Sequence, residues 1–561
     1  MKQLIAIVLA TAWAALGETT AGPSANSDAL FRAIRASDQA AISAAIASGA
    51  DPNATDPDGM PALMFAAIVG DAATMRNLLD NGADPNAANR AGATALIDAA
   101  ADASKATLLI SRGANVNVES KAGATPLLIA SSADGNAAVV RMMLAKGAQV
   151  NVHDRIQGIP ALLTGGGNTT PLIAAARLRD PETLKILLAA GAEVNAKDAN
   201  GARALSDAVL FDNPENVRLL LAAGASVNFH IAVWKHTPLI AAAMHGNAGV
   251  VQKLIAAGAE VNAVDASDST PLMWAAYSEY GDPAAVAALL AAGADPNHVN
   301  KWGESALTWA TRRGDTLIVA ALHAAGARDT AEAGGGSLSA VPTRDALLPD
   351  IRSAVEKGLP ALQALGTPSF KKTGCISCHN NLLPSIAAAT ARDRGFHYSQ
   401  ADLAANTKTV DALLRPAVEP LREGLDLVPD LPVSAGYVLE DWYRSGVEPN
   451  ALTDAVIHRL AQAQLSDGSW AVWAPRPPIE SSNVTATALA VHALSVYGPR
   501  GRRAEWELRI DRARKWLEAA NARTSEERNM RLMGLVWAKA KREVINGAVR
   551  AVVAQQRGDG G

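Results

Sequence analysis

Aromatic residues are scarce in this 561-residue chain, at 4% of the total. That composition suits thin, closely stacked helices rather than a thick core. Cysteine occurs only twice. Charge of one sign is also lacking: the formal net charge is -4 and the pI is near 6.2, which argues against the whole chain binding nucleic acid. Beyond the extreme N-terminus no stretch reaches 18 apolar residues, so no membrane span is expected. Familiar catalytic signatures are missing too. There is no Gly-x-Ser-x-Gly elbow, no phosphate loop and no His-Glu-x-x-His helix, so the chain does not read as an enzyme.

What is present is repetition. The phrase Gly-Ala-x-[Val/Pro]-Asn begins at Gly49, Gly82, Gly113, Gly147, Gly191, Gly224, Gly258 and Gly293, and a degenerate copy without the Asn begins at Gly326. The spacings run from 31 to 35 residues, with one stretched to 44. A fixed period of about 33 residues predicts stacked helical repeats, a scaffold that presents a long surface. Within a unit, Thr237-Pro238-Leu239 opens a helix, because Thr caps and Pro suits the first helical position. A second helix, Val250 to Ala257, ends at Gly258, where a left-handed residue is expected. The same opening recurs at Thr125, Thr170 and Thr270.

These residues resemble the ankyrin repeat over about Asp28 to Asp329, some nine units. The resemblance implies pairs of antiparallel helices with outward finger loops, stacked into a curved solenoid. It also implies a protein partner on the fingers and inner-helix ends. Mapped onto this chain, those positions are Arg177, Met244, His245, Tyr277, Arg312 and Arg313 on helix ends, and Trp234 and Trp302 on fingers. The family's usual His after Thr-Pro-Leu is replaced by Leu128, Ile173, Ile240 and Met273. The stack is therefore expected to rely on apolar contacts more than on an inter-repeat hydrogen-bond ladder. An insertion at about His153 to Gly167 is expected to project as a long finger.

At the N-terminus, Lys2 precedes an apolar run from Leu4 to Leu16 and then small residues. The run is too short to span a bilayer and reads as a cleaved leader, residues 1–20, which places the mature chain in a periplasm or outside the cell. Residues 330–344, with Gly334-Gly335-Gly336-Ser337, read as a flexible linker.

Beyond it stands Cys375-Ile376-Ser377-Cys378-His379, the Cys-x-x-Cys-His pattern of c-type haem attachment. Two thiols at this spacing can bond two vinyl groups while His379 supplies an axial imidazole to the metal. A disulfide between Cys375 and Cys378 and a zinc site remain open alternatives. A second axial ligand would come from His397, His458, His492, Met530 or Met533.

Residues 345–561 are helical in period. Gln464-Leu465-Ser466-Asp467-Gly468-Ser469-Trp470 matches the Gln-x-x-x-Gly-x-Trp motif, and Gln556 to Gly561 begins a second copy. This resembles the squalene-cyclase and terpenoid-cyclase superfamily. It implies an α/α toroid in which the Gln bridges helix ends and the Trp ring stacks on it. The enzymology does not follow, because the Asp-x-Asp-Asp acid motif and the prenyltransferase zinc set are absent. The second phrase stops one residue before the position of its Trp, so the chain is expected to be a fragment. The basic residues between Arg500 and Arg557, interleaved with Glu505, Glu507, Asp511 and Glu518, read as a solvated helix face. The fold expected is all-α, an ankyrin-like solenoid (28–329) followed by a toroid-like helical domain (345–561). The function expected is that of an exported protein-interaction scaffold. A haem c electron-transfer protein docked by its repeats is the alternative, and an isoprenoid-handling enzyme a third.

Overall fold

The computed structural model describes residues 25–156, 167–231, 235–277, 282–314, 316–328, 355–356, 358, 382–396, 400–425, 431–472 and 482–554. The leader, the Gly-rich linker, most of the insertion, Trp234, Cys375, Cys378, His379, His397 and the second Gln-phrase lie outside them. Among the described residues the chain is helical, with no strand beyond two isolated bridges, Thr55 to Pro61 and Ala88 to Thr94.

Nine helix pairs run from Ala25–Ala36 with Gln39–Ala47 to Ala306–Arg313 with Thr316–Ala324. We number them repeats one to nine. Local chemistry sets each pair. The hydroxyls of Thr125, Thr170 and Thr237 accept from the amide three residues on, capping helices that begin with Pro. The glycines of the recurring phrase all have φ between +84° and +94°, a region costly for any residue with a Cβ. Alanines pack the first helices against one another: Ala241, Ala242 and Ala243 are at most 1% exposed.

The expectation that the stack relies on apolar contacts more than on a hydrogen-bond ladder is refined. Leu128, Ile173, Ile240 and Met273 are indeed buried, but an inter-repeat ladder exists and is built from the Asn of the recurring phrase. Asn53 donates through Nδ2 to the Gly82 carbonyl (3.1 Å) and accepts through Oδ1 from the Asp84 amide (2.7 Å). The same two bonds recur from Asn86, Asn117, Asn151, Asn195, Asn228, Asn262 and Asn297. Gly326 accepts the last of them, and its copy of the phrase has no Asn.

The C-terminal helices form two rows. One contains Leu383–Asp393, Leu431–Arg444, Asn483–Tyr497 and Ser525–Trp537 in succession. The other contains Val418–Arg422, Ala451–Gln462, Arg503–Ala519 and Arg542–Val553. Within the Gln-phrase, Gln464 ties two helices of the second row and Trp470 ties the rows together. Gln464 Nε2 donates to the carbonyls of Gly468 (3.0 Å) and Arg509 (2.9 Å), and its Oε1 accepts from Arg512 (2.8 Å). Trp470 is fully buried, its indole donating to Leu460 O (2.7 Å) and its amide to Thr487 Oγ1 (3.0 Å).

The first part of the second row, with the turns at Ser466 and Arg502, lies on the solenoid. Leu425 is buried within the solenoid's own apolar core, and Ile156, at the base of the insertion, packs against both cores. The polar contacts reach repeats one to five in order. Arg35 pairs with Asp454, Arg502 Nη1 donates to Ile68 O (2.6 Å), and Asn89 donates to Glu419 (2.9 Å). Ser120 donates to Glu423 (2.6 Å), the Ser466 amide to Asp134 (2.8 Å), and Arg179 meets Asp467 at 3.4 Å. Arg502 also donates to Nδ1 of buried His458 (3.2 Å), which leaves the ring proton on Nε2, facing the Asp98 carbonyl at 2.9 Å. Burial, then the Arg502 and Lys105 charges, push this imidazole well below its usual range, so it is neutral. Burial raises the Asp98 carboxyl, and Glu423 and Glu419 raise it further; Glu423 itself is pushed up to about 7, chiefly by burial. The reading of Arg500 to Arg557 as a solvated face is therefore corrected for Arg502, which is 5% exposed and turned into this seam, and for half-buried Arg509. Arg503, Arg514 and Lys515 do form i,i+3 or i,i+4 pairs on the outside.

Candidate protein-interaction surface

The first helices of the repeats can be compared at one fixed register. The fourth residue of that helix is Phe65, Asp98, Ile129, Ala174, Asp207, Ala241, Trp274 and Trp309 in repeats two to nine. In repeat three this register lies at the seam with the C-terminal helices. In repeats eight and nine it carries indoles.

Trp274 and Trp309 lie edge to face, with ring centroids 5.4 Å apart, and Tyr277 meets them at 6.2 and 5.4 Å. His236 adds a fourth ring, 5.7 Å from Trp274. Each indole is latched to a finger carboxylate. Trp274 Nε1 donates to Asp265 Oδ2 (2.8 Å), and Asp265 also accepts from the Ser267 and Ser269 amides. Trp309 Nε1 donates to Glu304 Oε2 (2.7 Å), while Arg312 pairs with the other oxygen. The Trp309 bond, helped by Arg312 and Asn300, holds the Glu304 carboxyl below its usual range against the effect of burial. These latches fix the orientation of the rings, which lowers the entropy lost on binding.

Exposure concentrates here. Tyr277 is 54% and Trp302 65% exposed, and with Val299 and Leu317 they are the solenoid's exposed large apolar side chains among the described residues. Of the other residues picked out in the sequence, Arg312 is exposed beside Glu304. Arg177 is committed internally: it donates to Asp207 (2.7 Å) and lies over Phe211. Met244 and His245 are half-buried, and burial lowers the His245 imidazole against the pull of Asp212. Arg313 ends its helix, with its side chain outside the described set, as is Trp234. Trp274, Trp309 and His236 were missed. The signal for the indoles was available: they stand 35 residues apart at one repeat register, where repeat seven has Ala241.

Of the residues named as axial ligands, His458 belongs to the seam. His492 stacks on Trp537 (4.3 Å) with Nδ1 2.5 Å from Glu440; Met530 is half-buried and Met533 exposed. Among the described residues no group of three or more His, Cys, Asp or Glu could hold a metal ion, and no helix is long and apolar enough to cross a membrane.

Comparison with known families agrees with this geometry. A family model described as ankyrin repeats (3 copies) matches residues 30–120, 63–154, 154–231 and 205–297. A second, ankyrin repeats (many copies), matches residues 274–323.

Proposed function

The chain belongs to the ankyrin-repeat proteins, and from that premise we propose that it is an exported scaffold which docks a protein partner on the concave and finger face of repeats six to nine. Ankyrin repeats carry a protein-interaction role. What favours this end of the solenoid is one observation. Among the described residues the chain's own C-terminal helices lie on repeats one to five, whereas repeats eight and nine expose Tyr277, a member of the ring cluster, and Trp302, two residues from the Glu304 that holds Trp309. Aromatic and Arg side chains are the usual anchors of such interfaces.

The test is a capture experiment from a periplasmic extract, using the full chain and its Tyr277→Ala/Trp302→Ala variant. Each buried aromatic anchor contributes about 2 kcal/mol, roughly thirtyfold in affinity, so a micromolar complex should be lost. Both side chains are exposed in the free protein, so the melting temperature should hardly change. A partner retained in full by the double variant would place the interface elsewhere.

A second reading concerns the C-terminal half. Cys375-Ile376-Ser377-Cys378-His379 supports covalent haem c, with electron transfer as the role and the repeats as the dock. The bridging by Gln464 supports a likeness to the α/α toroid, without its enzymology. Protein made in a host that matures cytochrome c should be heavier by one haem and show an α band in the pyridine haemochrome spectrum. The same intact mass reports removal of residues 1–20. A colourless protein whose mass changes by two hydrogens on reduction would assign the cysteines to a disulfide instead.

A further inference from the structure

We propose that the seam between the C-terminal helices and repeats three and four is a pH-sensitive clasp, closed while Asp98 and Glu423 hold protons and loosened once both ionise. Asp98 comes from the repeats and Glu423 from the end of helix Val418–Arg422, and each is 1% exposed. Neither oxygen of the Asp98 carboxyl has a hydrogen-bond partner among the described residues. Glu423 uses only the oxygen that Ser120 reaches, and its other oxygen is equally bare. Buried polar atoms are nearly always paired, and burial penalises the charged form of an acid most, so the closed seam favours both groups neutral.

The neighbouring cations are committed elsewhere. Arg422, which pulls the Asp98 carboxyl down, donates to Glu419 at 2.7 Å, and Glu419 pushes both carboxyls up. Arg502 serves Ile68, His458 and Glu505, and Lys105 donates to the carbonyls of Ala67 and Gly70 at 2.8 Å each. Arg35 is taken by Asp454, whose own carboxyl is raised by burial against that pull. What the clasp covers is also defined. A Cβ on Gly424 would fall 3.0 Å from the Ile129 side chain, so the chain after Glu423 sits directly on repeat four. Loosening would uncover Asp98 and Ile129, the register at which repeats eight and nine carry Trp274 and Trp309. The clasp does not depend on a partner docking at those repeats.

The closed seam binds protons that the open one gives up. Glu423 is raised to about 7 when closed and returns toward its ordinary 4.5 when open. Its contribution to closure is therefore full below about pH 4.5 and is lost as pH rises through about 7. Asp98, raised first by burial and then by Glu423, adds to the same trend. His458 opposes it: burial keeps the imidazole neutral, so closure weakens as pH falls below about 6.5. Two carboxyls outweigh one imidazole, and above about 6.5 the opposition ends. Lys105, lowered to about 8 chiefly by burial, would favour closure at still higher pH, so the informative window lies below about 8.

The test is hydrogen exchange on the full chain at about pH 6 and about pH 8, with each rate corrected for the intrinsic pH dependence of amide exchange. The amides of Ala95–Ala99 and Val418–Arg422 should open about tenfold or more readily at the higher pH, and those of Ala306–Arg313 should not change. Asp98→Asn/Glu423→Gln replaces both acids by neutral side chains of the same shape. It should abolish the difference and keep the seam protected at both pH values. Should the double variant be too unstable to follow, Glu423→Gln alone should shrink the difference. A parent chain whose seam amides are equally protected at both pH values, or a pH response that survives these substitutions undiminished, would overturn the clasp.

Discussion

Arg502→Ala should destabilise the chain by about 3–5 kcal/mol and loosen the C-terminal helices from the repeats, the loss expected when one member of a buried charge network is removed. This guanidinium is nearly inaccessible to water and serves four partners. It donates to Ile68 O (2.6 Å), to His458 Nδ1 (3.2 Å) and to both oxygens of Glu505 (2.7 and 2.8 Å), and it lies 4.3 Å over the Trp506 ring. Removing it leaves the Ile68 carbonyl and the imidazole unpaired. Although burial works against its charge, Glu505 is held well below the usual carboxylate range by Arg502 and Arg509. In the variant it would keep only Arg509 and, at a greater distance, Lys105. Arg502→Lys should recover part of the loss, since an ammonium restores the charge but not the planar fork. Denaturant titration measures the total. Hydrogen exchange localises it, with faster exchange expected in Ala62–Val69 and none of the change in Ala306–Arg313. A variant within about 1 kcal/mol of the parent would mean that the seam does not depend on this residue.

The second large effect belongs to the turn of the Gln-phrase. Gly468 has φ +95°, and a Cβ there would come within 2.5 Å of the Arg512 carbonyl oxygen. Gly446 also has a left-handed φ, +74°, but a Cβ there meets nothing within 4 Å. Gly446→Ala should therefore cost about 1–2 kcal/mol, the backbone penalty alone. Gly468→Ala adds an overlap against main chain that cannot swing aside, about 1–3 kcal/mol more. The comparison separates backbone conformation from close packing of the turn on helix Arg503–Ala519. Equal losses in the two variants, read by thermal unfolding, would show that the turn can move away from that helix.

The repeats were legible because their signals are local. Thr-Pro openings, left-handed glycines and a phrase-ending Asn each report a backbone need that recurs every turn of the stack. The absent His carries no information about the ladder, because the Asn that makes it stands in the recurring phrase itself. The seam could not be read at all. Several of its acceptors, the carbonyls of Ile68 and Asp98, are main-chain groups that carry no residue identity. Arg502, in turn, looked like any other Arg of a charged helix. At the proposed docking face, Tyr277 and Trp302 could be picked out from their places in the repeat and are exposed, whereas Trp274 and Trp309 needed the register to be compared across repeats.

The Asn ladder and the seam together give the solenoid a direction. Each repeat is coupled only to its neighbours, so stability accumulates along the stack as a sum of adjacent terms. Among the described residues the C-terminal helices add contacts to repeats one to five, and the ladder runs on to Asn297, which bonds Gly326 and Arg328. Among the described residues the array is anchored along its first five repeats, so local opening is expected to be easier toward repeat nine. A partner seated on Tyr277 and Trp302 would then brace the less anchored repeats, and its binding would be felt as cooperativity extending back toward the anchored ones.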